Sequence, residues 1–77
     1  MTDKELDKQM GMILKELRLK NGYTMQQACD HLGLKNRASI ADYESGKSTI
    51  SLYNLKKLCD FYNTDFREVL SRIWMEL

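Results

Sequence analysis

The chain has no proline, and its 77 residues include only four glycines, two cysteines, one histidine and one tryptophan. Without proline, nothing of that kind breaks a helix from within. Cys29 and Cys59 form no CxxC pair, and a lone His31 cannot complete a zinc set, so no metal or other cofactor is expected. Buried, reduced thiols and a cytoplasmic setting are the expectation instead. The longest apolar run is three residues, Met12-Ile13-Leu14, far short of a membrane span. The start, Met1-Thr2-Asp3-Lys4-Glu5, is charged where a secretory signal would be apolar. Paired carboxylates, a Cys–His pair and a glycine-rich phosphate loop are all missing, which argues against an enzyme. Charge of one sign is also lacking: 12 basic residues face 11 acidic ones, for a net charge of +1. The distribution is less even, because residues 35–57 carry net +3 while residues 58–77 carry net −2. One small domain, 1–77, fits this length and composition.

What is present is helical periodicity, punctuated by caps. Thr2-Asp3-Lys4-Glu5 fits a capping box, and Leu6, Met10, Ile13, Leu14 and Leu17 recur at spacings of three and four up to about Lys20. Asn21-Gly22 ends that helix. Thr24-Met25-Gln26-Gln27 is a second capping box, opening a short helix with Met25, Ala28, Cys29 and Leu32 on its inner face. Gly33 stops it. Asn36 is a good N-cap for a third helix from Arg37 to about Ser45, which Gly46 ends. Ser51 caps a fourth, stapled by Ile50 and Leu55, with an inner stripe of Leu52, Leu55, Leu58, Cys59 and Tyr62. Asp65-Phe66-Arg67-Glu68 reads as a further capping box. It starts a fifth helix with Phe66, Val69, Leu70, Ile73, Trp74 and Leu77 on one face. No stretch alternates at period two, so the expected fold is all-α with five helices and short connections.

Two short helices joined by a tight turn at Gly33, over about residues 24–45, make a helix–turn–helix. The first packs across the second through small residues, here Ala28 and Cys29. One face of the second is then free to enter a major groove about 12 Å wide. That face is small and polar: Arg37, Ala38, Ala41, Asp42 and Ser45. Small side chains let a backbone approach base edges, and Arg37 has the fork that matches guanine O6 and N7.

These residues carry a resemblance. Gly22-Tyr23-Thr24 through Glu44-Ser45-Gly46-Lys47, then Leu55-Lys56-Lys57-Leu58-Cys59, resemble the Cro/CI-type (XRE-like, lambda-repressor-like) helix–turn–helix family of phage repressors and bacterial regulators. The likeness runs from about Gly11 to Leu70. It implies five helices, sequence-specific DNA binding by the third, and a two-fold dimer on a palindromic operator. By position, Arg18 and Glu44 resemble the family's buried ion pair. Asn36, Arg37, Ala38, Ala41 and Asp42 fall where the family reads bases. Thr24, Gln26, Lys35, Lys47, Ser48 and Thr49 fall where it meets phosphate. The segment Leu34-Lys35-Asn36-Arg37-Ala38-Ser39-Ile40 leaves open how Lys35, Asn36 and Arg37 divide between bases and phosphate.

The end of the chain adds a second feature. Phe66, Val69 and Leu70 suffice to close a domain of this size, so Ile73, Trp74 and Leu77 extend the stripe into a Trp-centred apolar patch. Such a patch marks an interface, and the helix at 66–77 is expected to join two copies. The reading that follows is a cytoplasmic, dimeric regulator bound to an inverted repeat of double-stranded DNA, in a bacterial nucleoid or a phage-infected cell. It would act as a repressor of phage, mobile-element or restriction–modification controller type, with no small-molecule effector and no membrane partner. The competing reading is a protein-interaction or antitoxin-like module on the same scaffold, favoured by the low net charge and by Asp42. Tyr23, Tyr53 and Tyr62 read as packing residues, and His31 as a plain surface side chain.

Overall fold

A computed structural model of the chain describes residues 3–76 and contains five helices. They are α1 (Asp3–Lys20), α2 (Met25–Leu32), α3 (Ala38–Ser45), α4 (Leu52–Phe61) and α5 (Phe66–Glu76). Thr2, the expected first cap, and Leu77, the expected end of the last stripe, lie outside the described residues. The expected stops and starts are where the local chemistry puts them. The Thr24 hydroxyl oxygen accepts the Gln27 N–H at 3.1 Å while the Gln27 side-chain oxygen accepts the Thr24 N–H at 2.8 Å. Gly33 and Gly46 close α2 and α3 at φ 70° and 81°, in the left-handed region that glycine enters without cost. Ser51 accepts the Asn54 N–H at 3.1 Å and starts α4.

Two starts differ in detail from the sequence expectation. Regular α3 begins at Ala38, one residue later than Arg37, although Arg37 already has helical torsions (φ −66°, ψ −13°). The Asn36 carboxamide still caps it, accepting the Ala38 N–H at 2.9 Å. At α5, Asp65 accepts the Arg67 N–H at 2.8 Å and pairs with the Arg67 guanidinium at 3.0 Å. Arg67 thus supplies the donors to this cap, through its own N–H and its guanidinium.

The core is drawn from all five helices: Ile13, Leu14 and Leu17; Ala28, Cys29 and Leu32; Ile40; Leu55, Leu58 and Cys59; Val69 and Ile73, with Ile50 and Tyr62 beside them. Three expected core or packing residues, Leu52, Tyr53 and Leu70, are outside it. Leu52 is exposed because it opens α4, and a helical side chain leans back over the turn before its own Cα, here the solvated loop. Tyr53 is exposed next to it, with the Lys57 ammonium 5.4 Å from its ring centre. On α5 the expected stripe divides. Val69 and Ile73 are buried one turn apart, whereas Leu70 and Trp74 follow them by one residue, about 100° around the axis, and face outward.

Two contacts fix α3 against α1, and a third fixes α2 against α4. Arg18 of α1 and Glu44 of α3 form a fork at 2.7 and 3.1 Å, and Arg18 also donates to the Tyr23 carbonyl at 2.9 Å. Both side chains are more than nine-tenths buried, so each charge depends on the other. The Glu44 side chain raises the Arg18 pKa further, chiefly through this hydrogen bond. Next to the pair, α1 and α3 approach so closely that neither side has room for a Cβ. A methyl at Gly11 would meet the Tyr43 carbonyl oxygen and stand 2.5 Å from that of Glu44, and one at Gly46 would stand 2.7 Å from Lys8 Cα. Finally, α2 rests on α4 through a ring stack in which Phe61 meets both Tyr23 and His31 at 4.3 Å between centres.

Both cysteines are free thiols with no exposed surface. Cys29 donates to the Leu34 carbonyl at 3.4 Å, and burial pushes the Cys59 thiol up to about 11. The Tyr62 hydroxyl is buried with no hydrogen-bond partner among the described residues, and burial raises its pKa as well.

Candidate nucleic-acid interface

A recognition helix must be polar on the side it offers and anchored on the other. Helix α3 meets both conditions. Ile40 and Glu44 are buried on its inner side, while Lys35, Asn36, Arg37 and Ala38 at its start are exposed, and Ala41 and Asp42 are half-buried one turn later. Its eight residues span about 12 Å, comparable with the width of a major groove. Lys35, Arg37 and Lys47 form no ion pair within 4 Å among the described residues, in contrast to Lys56, Arg67 and Arg72, which do. The unneutralised cations on this side therefore flank α3 at both ends.

The expected phosphate-contacting residues are not equivalent. Thr24 is exposed at the start of α2; its oxygen is occupied as a cap acceptor, which leaves its O–H free to donate outward. Gln26 is exposed but its amide donates to Asp30 at 2.8 Å. After α3 the loop is internally bonded. The Asp42 carbonyl accepts from the Lys47 and Ser48 N–H groups at 2.9 and 3.2 Å, and from the Ser45 hydroxyl at 3.2 Å. Those amides are committed to the loop, so the loop offers side chains rather than a backbone anion cradle. Lys47 is exposed and Ser48 half-buried. The Thr49 hydroxyl lies 2.8 Å from both oxygens of Asp7, across the loop on α1.

The close approach at Gly11 escaped the sequence reading, which found at Gly46 only the helix stop. Gly11 lies within a regular helix, where glycine is unfavourable by about 1 kcal/mol relative to alanine. That cost was the available signal for a close helix approach. Among the described residues no helix is long and apolar enough to cross a membrane.

A family model described as helix-turn-helix matches residues 14–69, which includes the ion pair, both short helices and the start of the last. The chain belongs to the XRE-type helix–turn–helix family. This is a family of DNA-binding transcriptional regulators. The HTH-type transcriptional regulator AnsR of Bacillus subtilis (strain 168) is 39% identical over 59 residues, covering 77% of this chain and 50% of AnsR. The chain thus spans about half the length of that relative. Among solved structures, the restriction-modification controller protein C.AhdI from Aeromonas hydrophila superimposes with a TM-score of 0.73 at 28% identity, over 82% of this chain and 94% of that one. ClgR, the clp gene regulator from C. glutamicum, superimposes with a TM-score of 0.80 over 94% of this chain and 92% of its own; at 18% identity this likeness shows the fold alone. The five-helix helix–turn–helix architecture is common to them.

Proposed function

We propose that the protein is a sequence-specific regulator of transcription that inserts α3 into the major groove of double-stranded DNA. The observation that carries this reading is the exposed start of α3, where Arg37 and Ala38 stand between unpaired cations while Glu44 at the other end is locked to Arg18. Arg37 supplies a bidentate donor for guanine, and Ala38 and Ala41 keep the helix close to the base edges. Asn36 spends its carboxamide oxygen on the cap and has its amide left to donate. Asp42 suits a cytosine amino group better than a phosphate. Thr24, Lys35 and Lys47 act on the backbone, where they set register and not sequence.

Two copies act together on an inverted repeat. The longest dimension of the molecule is 31 Å. Successive faces of one groove recur about 34 Å apart, so one copy does not span both half-sites. Trp74, 75% exposed, with Leu70 beside it, supports pairing through α5. Ile73, expected on that surface, is mostly committed to the core of its own chain and only lines the floor of the cleft beside Leu70 and Trp74. The dimer represses by occupying promoter DNA, in the manner of a phage, mobile-element or restriction–modification regulator. Selection from a random duplex library tests the reading. An inverted repeat with half-site centres one helical turn apart is the expected result, and no enrichment at low salt overturns it in favour of a protein-interaction module.

A further inference from the structure

We infer that Lys8 on α1, outside the helix–turn–helix, contacts the DNA phosphate backbone in the place expected for Thr49. The inference rests on the reading that α3 enters the groove, and it starts from the packing of α1 over the end of α3. A Cβ built at Gly46 would lie 2.7 Å from both Cα and Cγ of Lys8, so the Lys8 stem lies directly on the residue that closes α3. The next residue is Lys47. Lys8 is exposed and makes no ion pair among the described residues, and Lys4, one turn earlier, is exposed too.

The same turn of α1 removes Thr49 from consideration. Asp7 takes the Thr49 hydroxyl at 2.8 Å to both carboxylate oxygens. A phosphate brought to that hydroxyl would meet a carboxylate across a single hydrogen bond and be repelled. That hydrogen bond also ties the first turns of α1 to the 47–50 loop, so the lysine beside it moves as part of the recognition edge. Asp3, Glu5 and Asp42 are the other carboxylates of this neighbourhood in sequence, and they are why the chain's net charge does not advertise the edge. The competing structural role for Lys8 is a cation at the negative end of the α3 dipole, which would act on stability and not on counterions.

Salt dependence separates the two roles. Each phosphate neutralised contributes about −0.9 to the slope of log affinity against log salt. Binding of the full chain to a random 20-base-pair duplex is measured between 50 and 200 mM KCl. Lys8→Gln is expected to make the slope shallower by about 0.9 per bound subunit, a change of about 3.5-fold in the affinity lost across that range. Lys8→Arg should keep the wild-type slope, and Thr49→Val and Lys15→Gln should keep it as well. A wild-type slope in Lys8→Gln overturns the inference, as does a slope change in Lys8→Arg equal to that in Lys8→Gln. Wild-type protein that binds no duplex at 50 mM overturns the underlying DNA reading instead. Thermal unfolding of each variant runs alongside, and a lowered midpoint with an unchanged slope assigns Lys8 to the helix end.

Discussion

Glu44 and Arg18 are each valuable only in the presence of the other. Truncating one strands its partner's buried charge beside Tyr62, whereas replacing both with apolar groups removes the problem with its cause. Glu44→Ala is therefore expected to lower unfolding free energy by about 3–5 kcal/mol, and Arg18→Met combined with Glu44→Leu by distinctly less. Urea titrations of the two variants check this; equal losses would mean the charges are not coupled. Arg37 is the opposite kind of residue, exposed and irrelevant to folding. Arg37→Ala should leave the unfolding midpoint in place while costing about 1–3 kcal/mol of discrimination at one operator position. Competition binding against single-base operator variants reads that directly. Equal loss on operator and random duplex would move Arg37 from the base-reading set to the phosphate set.

At the level of elements, α5 carries a pH dependence whose sign follows from its cap. Hydrogen bonds from the Arg67 side chain and backbone hold the Asp65 carboxyl below its ordinary value. A carboxylate with a depressed folded-state pKa stabilises the fold above its unfolded pKa, and that contribution is lost as pH falls through the folded value. The relevant window lies below about pH 4. Asp65→Asn keeps a good capping side chain without the titrating group. Its melting temperature should fall less than that of the wild type between pH 5 and pH 2.5. Parallel curves would show that Asp65 has no share in acid sensitivity. The elements were also where the sequence was most legible. Thr24, Gly33, Gly46 and Ser51 announce their caps through local chemistry alone, and 3.6-residue spacing finds Ile13, Leu14, Leu17, Leu55 and Leu58. Spacing misjudged Leu52 and Leu70 because a period gives a face and not the extent of what covers it, whereas the exposure of Trp74 was expected. Gly11, the Asp7–Thr49 bond and the Lys8–Gly46 contact were beyond reach for a related reason. Each joins residues that are far apart in the chain, and only the crossing of α1 over α3 brings them together.

For the whole molecule, the proposed association of two copies rests on the exposed ridge on α5. Trp74→Ala should weaken the dimer without unfolding the domain, since Ile73 and Val69 remain to hold α5 down. Sedimentation at micromolar concentration is expected to show wild type as the heavier species. An unchanged sedimentation coefficient in the variant removes Trp74 from the interface. The core contains another feature with molecule-wide reach, the two free thiols on α2 and α4. Neither has surface to offer a reagent while those helices stay packed, so alkylation has to wait for the structure to open. Each chain consequently carries its own stopwatch: the labelling rate near pH 8 tracks the fraction of time spent open. Operator DNA in excess should slow that clock by the factor by which binding stabilises the closed form, and so reports affinity without any label on the DNA.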